Sequence, residues 1–209
     1  LFTDADFGVL ATADTYRGGA GNDTIDLSYS QFLLSNAGQA DAGIVVTVDG
    51  GEESDGAADR DRLILPSADV VWGLLDVQNV EILEAPGQSS ASIAELLALG
   101  FEEAYGMTFV VAPDTTVDAS ALGGQYIIEA GAGSTLTGNA DGVEVRVGVV
   151  GATVTGGGGD DVIRPTRPAP AVGTLAPASG SYTMGLGNGP LLLAGAGALD
   201  RTPTTLRGN

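Results

Sequence analysis

Two glycine-rich segments of the chain place an aspartate where its carboxylate could bind a cation. Residues 18–26 and 156–164 both follow the pattern G-G-x-G-x-D-x-U-x, in which U is a large apolar residue. Glycine allows the positive φ angles of a tight turn. Carboxylates and backbone carbonyls are the hard ligands that Ca²⁺ prefers. The spacing therefore predicts two tight turns, each with a carboxylate that could bind a divalent cation.

The overall charge favours the same kind of ligand. The formal net charge is −19, and the eight cationic residues are all arginine. Residues 1–161 hold 26 of the 27 acidic side chains and carry −22, whereas residues 162–209 carry +3. An acidic surface repels nucleic acid phosphates and anionic lipid and attracts divalent cations. We therefore expect Ca²⁺ as the cofactor, no nucleic acid partner and no anionic membrane partner.

The residue types that are absent exclude much catalytic chemistry. The chain has no His, Cys or Lys, so it lacks Ser-His-Asp and Cys-His triads, Cys/His zinc sites and lysine nucleophiles. Arg146, beside Asp141 and Glu144, is the one candidate base for a polysaccharide lyase. The alternative for Arg146 is a surface arginine paired with a strand carboxylate. We expect no enzyme activity.

A nine-residue period before the second glycine-rich segment predicts the elements that must position these turns. Apolar residues recur nine apart, and so do glycines, with Phe109 and Gly106 two repeats earlier. The apolar series is Ile127, Leu136, Val145, Val154 and Ile163, and the glycines are Gly124, Gly133, Gly142 and Gly151. Such a repeat predicts a short strand and a turn per unit, with the apolar residue inside and two units to a coil. The expected fold is all-β, a parallel β-roll or β-helix solenoid with one short helix and an irregular C-terminal extension.

The two nine-residue segments resemble the RTX, or haemolysin-type calcium-binding, family. The sequences of segments 48–51, 61–65, 75–83 and 115–122 are similar in character to those of its surface-layer and adhesin members. The resemblance implies type I secretion, folding on calcium outside the cell, and a location at the bacterial cell surface. It also implies a lattice or adhesive role.

In that family, a turn shares its ion with the equivalent turn one coil away. The resemblance therefore implies two half-sites, each completed by a turn two repeats away, at 36–41 and at 138–143. The implied metal ligands are Gly18, Ala20, Asn22 and Asp23 with Asp41, and Gly156, Gly158, Asp160 and Asp161 with Asn139 and Asp141. Tight corners of a metal-free β-helix are the alternative. The acidic segment 52–61 is interpreted as a solvated insertion, and a metal site is the alternative.

Other segments complete the prediction. Strands are expected at 44–48, at 62–65 and once or twice within 70–83, where Trp72 should pack. A helix is expected over 92–105. Ser92 and Glu95 would form its capping box, and Ile93, Leu96, Leu97 and Phe101 would line one face.

The domain plan has three parts. Residues 1–164 form the solenoid, 165–177 a Pro-rich linker and 178–209 a Gly/Ala-rich tail. The longest small-residue apolar run, 191–199, is too short to span a bilayer. We expect a secreted structural component of a surface layer or extracellular matrix that self-associates on calcium. An adhesin that binds surface polysaccharide is the alternative, and a β-helix polysaccharide lyase or epimerase comes third.

Overall fold

The chain is an all-β parallel β-solenoid, as the repeat predicts. The computed structural model describes residues 2–3, 14–30, 33, 45–51, 59–147, 151–165, 180–183 and 205–207. These residues fall into two compact units, which divide between Met107 and Thr108. Within the described ranges, no helix is both long and apolar enough to cross a bilayer.

The N-terminal unit contains two parallel sheets. Its strands are β1 (Phe2–Thr3), β2 (Thr15–Arg17), β3 (Thr24–Asp26), β4 (Val46–Asp49), β5 (Arg62–Ile64), β6 (Leu75–Gln78) and β7 (Ile82–Glu84). One sheet has the order β1-β3-β5-β7 and continues to β8 (Glu103–Val110), which crosses the unit boundary. The other has the order β2-β4-β6. A 3₁₀ turn, Trp72–Leu74, precedes β6, and the Trp72 indole N–H donates to Ser90 Oγ at 3.0 Å.

The C-terminal unit has the same plan. Its strands are β9 (Thr116–Asp118), β10 (Gly123–Glu129), β11 (Thr135–Thr137), β12 (Glu144–Val147), β13 (Ala152–Thr155), β14 (Val162–Pro165), β15 (Gly180–Thr183) and β16 (Thr205–Arg207). One sheet runs β10-β12-β14 and the other β9-β11-β13-β15-β16. The last two strands therefore add to the solenoid from within the segment that the sequence predicts to be an irregular tail.

The nine-residue period places the core correctly with one exception. Leu136, Val145, Val154 and Ile163 are all buried. Ile127 is only half-buried, and Ile128 is the residue that pairs with Val145 and lies in the core. The shift arises because the register between β10 and β12 falls one position short of two full repeats.

The periodic glycines adopt the backbone conformation that the turns require. Gly106, Gly124, Gly133, Gly142 and Gly151 have φ between 69° and 93°. This is the left-handed region, which side chains with a Cβ rarely enter. The nine-residue period of glycine is thus a period of backbone conformation.

The helix is shorter than predicted. α1 spans Ile93–Ala98, and the capping box between Ser92 and Glu95 is present. The helix ends before Gly100, whose φ of 95° is incompatible with a further helical turn. The chain beyond it pairs in β8, with Ala104 opposite Leu83, so the prediction of helix to residue 105 is wrong. Phe101 is buried all the same.

Candidate calcium-binding turns

The first glycine-rich turn, residues 18–23, joins β2 to β3 and lies against the turn of the next coil. That next turn joins β4 to β5 and includes Gly50, Gly51 and 59–61. Gly18 N–H donates to Asp49 O at 2.9 Å and Gly19 N–H donates to Gly50 O at 3.0 Å. The neighbour of Asp23 is therefore Asp61, 38 residues along the chain.

The partner predicted for this turn, 36–41, is wrong as the next turn of the stack. The residue opposite Thr24 of β3 is Arg62 of β5, so the connection one coil on lies between β4 and β5. The predicted ligand Asp41 lies outside the described residues. The two-repeat spacing fails here because the coil that leads to β5 is longer than two repeats.

Three carboxylates stack at the end of successive turns of the N-terminal unit. Asp23, Asp61 and Glu81 each stand immediately before a strand, β3, β5 and β7 respectively. Asp23 N–H donates to Asp61 Oδ1 at 2.7 Å, and Asp61 N–H donates to Glu81 Oε2 at 2.8 Å. Gly21 N–H donates to Asp59 Oδ2 at 3.1 Å. We call Asp23, Asp59, Asp61 and Glu81 the acidic column.

The acidic column is electrostatically unfavourable at Asp61. Asp61 is 3% exposed, and loss of solvation raises the pKa of its carboxyl group. The hydrogen bond from the Asp23 backbone lowers the pKa, while the negative charges of Glu81, Asp23 and Asp59 raise it further. Three acidic neighbours and burial together disfavour ionisation. Ionisation of the Asp61 carboxyl group is therefore costly at this corner of the turn stack.

The arginines nearest in sequence are engaged with other carboxylates. The Arg60 guanidinium lies 2.7 Å from Glu103 Oε1, and this contact raises the pKa of Arg60 and lowers that of Glu103. Arg62 pairs with Glu84 at 3.1 Å. Only the backbone N–H of Arg60 faces the turn, where it donates to Asn22 Oδ1 at 2.9 Å.

Glycine is required where the stacked turns touch. A Cβ atom on Gly50 would overlap the carbonyl oxygen of Asn79 and the Asp61 carboxylate. The turn backbone and the Asp61 carboxylate therefore lie in direct contact.

The second glycine-rich turn, 156–161, joins β13 to β14 and stacks on 138–143, which joins β11 to β12. The predicted two-repeat spacing is confirmed: Val143 N–H donates to Asp161 Oδ1 at 3.2 Å, and Gly138 N–H donates to Thr155 O at 2.9 Å. Asp141 Oδ2 accepts from Gly124 N–H at 2.8 Å, which links the turn to the coil before it.

Asn139 is buried in the C-terminal stack and fully used by the protein. Its Nδ2 lies 2.9 Å from Leu122 O, 3.0 Å from Gly124 O and 3.2 Å from the Tyr126 hydroxyl. Its Oδ1 accepts from the backbone N–H groups of Asp141 and Gly142. Asn139 therefore fits the role of a calcium ligand poorly, because binding an ion would break these hydrogen bonds.

The Tyr126 hydroxyl belongs to the same buried network. It lies 2.7 Å from Leu122 O, to which it donates. Burial raises the pKa of Tyr126 well above its ordinary value.

The other predicted ligands lie on the turns where the sequence places them. Ala20, Asn22 and Asp160 are exposed, Gly158 is half-buried, and Gly156 and Asp161 are buried. In the ranges that the structure describes, no three acidic side chains lie close enough together to form a metal cluster. An ion at either turn would accordingly take several ligands from backbone carbonyls.

Two members of the acidic column, Asp59 and Asp61, lie in the acidic segment 52–61, for which a metal site is the alternative prediction, whereas Glu81 is not among the predicted ligands. A signal for Asp61 and Glu81 was present, because they precede the buried Leu63 and Leu83 by two residues, as Asp23 precedes Ile25. The part of the pattern that persists without the full set of glycines is an acidic residue two positions before a buried apolar residue.

The lyase and adhesin alternatives gain little from the described residues. Arg146 Nε lies 2.8 Å from Glu144 Oε1 and Arg146 Nη1 lies 3.8 Å from Glu129 Oε1, in agreement with a surface arginine paired with strand carboxylates. Exposed aromatics on one face of the solenoid would support sugar binding. Among the described residues, Tyr29, at 75% exposure, is the one large aromatic that protrudes.

No family model, curated protein or solved structure matches this chain. Membership of the RTX family stays a prediction from the two nine-residue segments and the sequence around them.

Proposed function

We propose that this chain is a structural repeat module of an extracellular surface layer or matrix, in which Ca²⁺ holds the N-terminal turn stack together. A parallel β-solenoid is the fold of a structural repeat protein, because each coil packs only on its neighbours. Its role is structural, and it requires no catalytic group.

The observation that supports calcium is the acidic column. It brings Asp23, Asp59 and Glu81 to a buried Asp61, whose ionisation they oppose. A divalent cation would relieve that repulsion, and carboxylate and carbonyl oxygens are its preferred ligands. The side-chain ligands would be Asp23 and Asp61, with further oxygens from the carbonyls of Gly18 and Ala20.

A second ion at Gly156, Gly158, Asp160 and Asp161 stays a prediction. The C-terminal stack has fewer opposed charges, because the buried side chain of the turn at 138–143 is the neutral Asn139. We therefore expect calcium to stabilise the N-terminal unit more than the C-terminal unit.

Calcium would also act between copies. Residues 1–161 carry a net charge of −22, which keeps copies apart in the absence of a counter-ion. Bound and condensed Ca²⁺ lowers this repulsion and would allow the lateral contacts of a lattice. Export before folding would suit this behaviour, because the chain would fold only where calcium is plentiful.

Thermal unfolding in chelator, in Ca²⁺ and in Mg²⁺ tests the metal. A ligand that binds only the folded chain stabilises it by about 2.7 kcal/mol at a hundred times its Kd, so the Tm should rise steadily with Ca²⁺. Asp61→Asn should remove most of the rise. Asp76→Asn is the matched control, because Asp76 is an exposed strand carboxylate of the same unit. An equal response in both variants, or none in the wild type, would refute the site.

Sedimentation in chelator and in Ca²⁺ tests the structural role. The proposal predicts higher-order assembly that appears with Ca²⁺ and reverses with chelator. A chain that binds Ca²⁺ yet stays monomeric at all concentrations would retain the site and refute the lattice role.

A further inference from the structure

In three strands of one sheet of the C-terminal unit, β9, β11 and β13, five of the six outward positions are threonine. In β9, β11 and β13 the outward residues alternate with inward Val117, Leu136 and Val154. The parallel register aligns them into two rows, Thr116, Thr135 and Thr153 in the first, and Asp118, Thr137 and Thr155 in the second. We call these positions the threonine face.

The two rows continue along the backbone register of β15 and β16. Ser181 and Thr205 follow Thr153 in the first row. Thr183 and Arg207 follow Thr155 in the second. The first row therefore carries a hydroxyl-bearing residue at five consecutive strands.

The threonine hydroxyls of this face are available for an external ligand. Thr116, Thr135, Thr153 and Thr155 are exposed and Thr137 is half-buried. Within the described ranges, their hydroxyls make no hydrogen bond to another residue. Each threonine presents one methyl group, one donor and two acceptor positions. Its β-branched side chain is stiff at χ1, so the array is ordered before it meets a ligand.

The array has a regular two-dimensional spacing. Neighbouring strands lie about 4.8 Å apart, and alternate residues along a strand lie about 6.6 Å apart. Oxygen atoms on a face of an ice crystal repeat in two dimensions over distances of the same size. A ligand that is itself a lattice can contact every threonine at once, whereas one sugar or one peptide cannot.

The charge distribution indicates a neutral ligand. The other sheet of this unit carries the ion pairs Arg146–Glu144, Arg146–Glu129 and Arg164–Glu144 on its outer surface. On the described part of the threonine face in β9, β11 and β13, the one charged residue is Asp118, at the end of its row. In a chain of net charge −19, such a neutral face is not what average composition predicts.

We propose that the threonine face binds the surface of an ice crystal. The methyl groups and hydroxyls hold water at lattice positions, and this ordered layer merges with the crystal. An aromatic platform for sugars is absent from the described strands β9, β11 and β13. A second copy of the chain would need no two-dimensional register and would bring two acidic molecules together.

The test is the depression of the freezing point below the melting point of a single ice crystal, with the crystal habit recorded. The wild-type chain should show both a freezing-point gap and faceted crystals. Thr153→Tyr puts a bulky ring in the middle of the face and should abolish the gap. Thr15→Tyr is the matched control, since Thr15 is an exposed strand threonine of the other unit, and it should keep the wild-type gap.

Two further variants separate shape from hydrogen bonding. Thr135→Val keeps the methyl positions and should retain part of the gap, while Thr135→Lys should remove it. Circular dichroism and melting establish that each variant is folded. A wild type without any gap, equal gaps in the Thr153→Tyr and Thr15→Tyr variants, or Thr153-dependent dimers or glycan binding without a gap would overturn the proposal.

The inference stands apart from the calcium proposal, because the two use different residues. Asp61→Asn should lose the calcium response and keep the freezing-point gap when it is folded. Thr153→Tyr should show the reverse pattern. A single variant that lost both while folded would contradict the separation of the two surfaces.

Discussion

The two turn stacks share one hydrogen-bonding arrangement but use different side chains in it. In both, a polar side chain at the end of a turn accepts backbone N–H groups from a neighbouring coil. The N-terminal stack uses carboxylates, Asp61 and Glu81, and places like charges together. The C-terminal stack combines the Asp161 carboxylate with the neutral amide of Asn139, which both donates and accepts. The Asn139 amide forms hydrogen bonds as both donor and acceptor in a buried turn, whereas the stacked carboxylates oppose the ionisation of Asp61.

The largest effect should come from removing the hydrogen bonds that the Asn139 amide donates in the C-terminal stack. Asn139→Asp replaces the donating amide with a carboxylate that faces Leu122 O and Gly124 O. Unsatisfied buried groups cost about 1–3 kcal/mol each, so we expect the free energy of unfolding to fall by about 3 kcal/mol or more. Chemical denaturation measures it.

The control for this change is Asn22→Asp in the N-terminal turn. Asn22 is exposed, and its Oδ1 accepts from Arg60 N–H, which a carboxylate can also do. Exposed substitutions of this kind lie within about 0.5 kcal/mol. If both variants lost the same stability, the buried amide would not be the distinguishing feature.

The contact between stacked turns is the next test. A Cβ on Gly157 would overlap the carbonyl of Asn139, while one on Gly158 would lie 3.1 Å from Ala140 O. Gly157→Ala should lose about 2–3 kcal/mol by overpacking, and the adjacent Gly158→Ala much less. Urea midpoints of the two variants decide the matter, and equal midpoints would mean that the turns do not touch as described.

A pH titration in chelator tests whether the carboxylates of the N-terminal stack oppose the ionisation of Asp61. The pKa of Asp61 is raised in the folded chain, so its contribution to stability is present below the unfolded-state pKa and is lost as the pH rises through the folded-state pKa. Acidification from neutral pH should therefore stabilise the wild type relative to Asp61→Asn. The pKa of Glu103 is lowered, so this residue affects stability in the opposite direction. Its contribution is common to both proteins and cancels when the difference between their Tm values is plotted against pH. A difference that is constant with pH would contradict the strain at Asp61.

The smallest effect should come from the exposed ion pairs of the C-terminal unit. Arg164→Ala removes a 3.2 Å contact with Glu144, a pair that solvent largely screens. We expect a loss below about 1 kcal/mol that shrinks as salt is added. Melting at low and high ionic strength measures it, and a loss as large as that of Asn139→Asp would show that surface charge, not the buried amide, distinguishes this unit.

The sequence predicts the C-terminal stack better than the N-terminal one for a physical reason. Where each coil keeps to two nine-residue repeats, the turns at 138–143 and 156–161 could be matched by counting. Asp61 lies 38 residues beyond Asp23, and counting led to the wrong neighbour. Only strand pairing, which depends on contacts between residues distant in sequence, identifies the true neighbour of Asp23.

Other misses have equally local causes. The capping box at Ser92 predicts where α1 begins, but its end depends on strand pairing by Glu103–Val110. The role of Asn139 could not be predicted, because its partners come from two separate coils. The T-x-T pattern at Thr135–Thr137 and within Ala152–Thr155 is visible in the sequence. Its meaning appears only when the register aligns the two strands.

The most direct test of the central claim is hydrogen exchange of four backbone amides in chelator and in Ca²⁺. Two, Asp23 and Asp61, donate within the acidic column, and two, Gly124 and Val143, donate to Asp141 and Asp161. Exchange reports the free energy of local opening at each site. We predict that Ca²⁺ slows exchange at Asp23 and Asp61 far more than at Gly124 and Val143. Equal slowing at all four, or none at Asp23 and Asp61, would contradict a calcium-stabilised N-terminal stack.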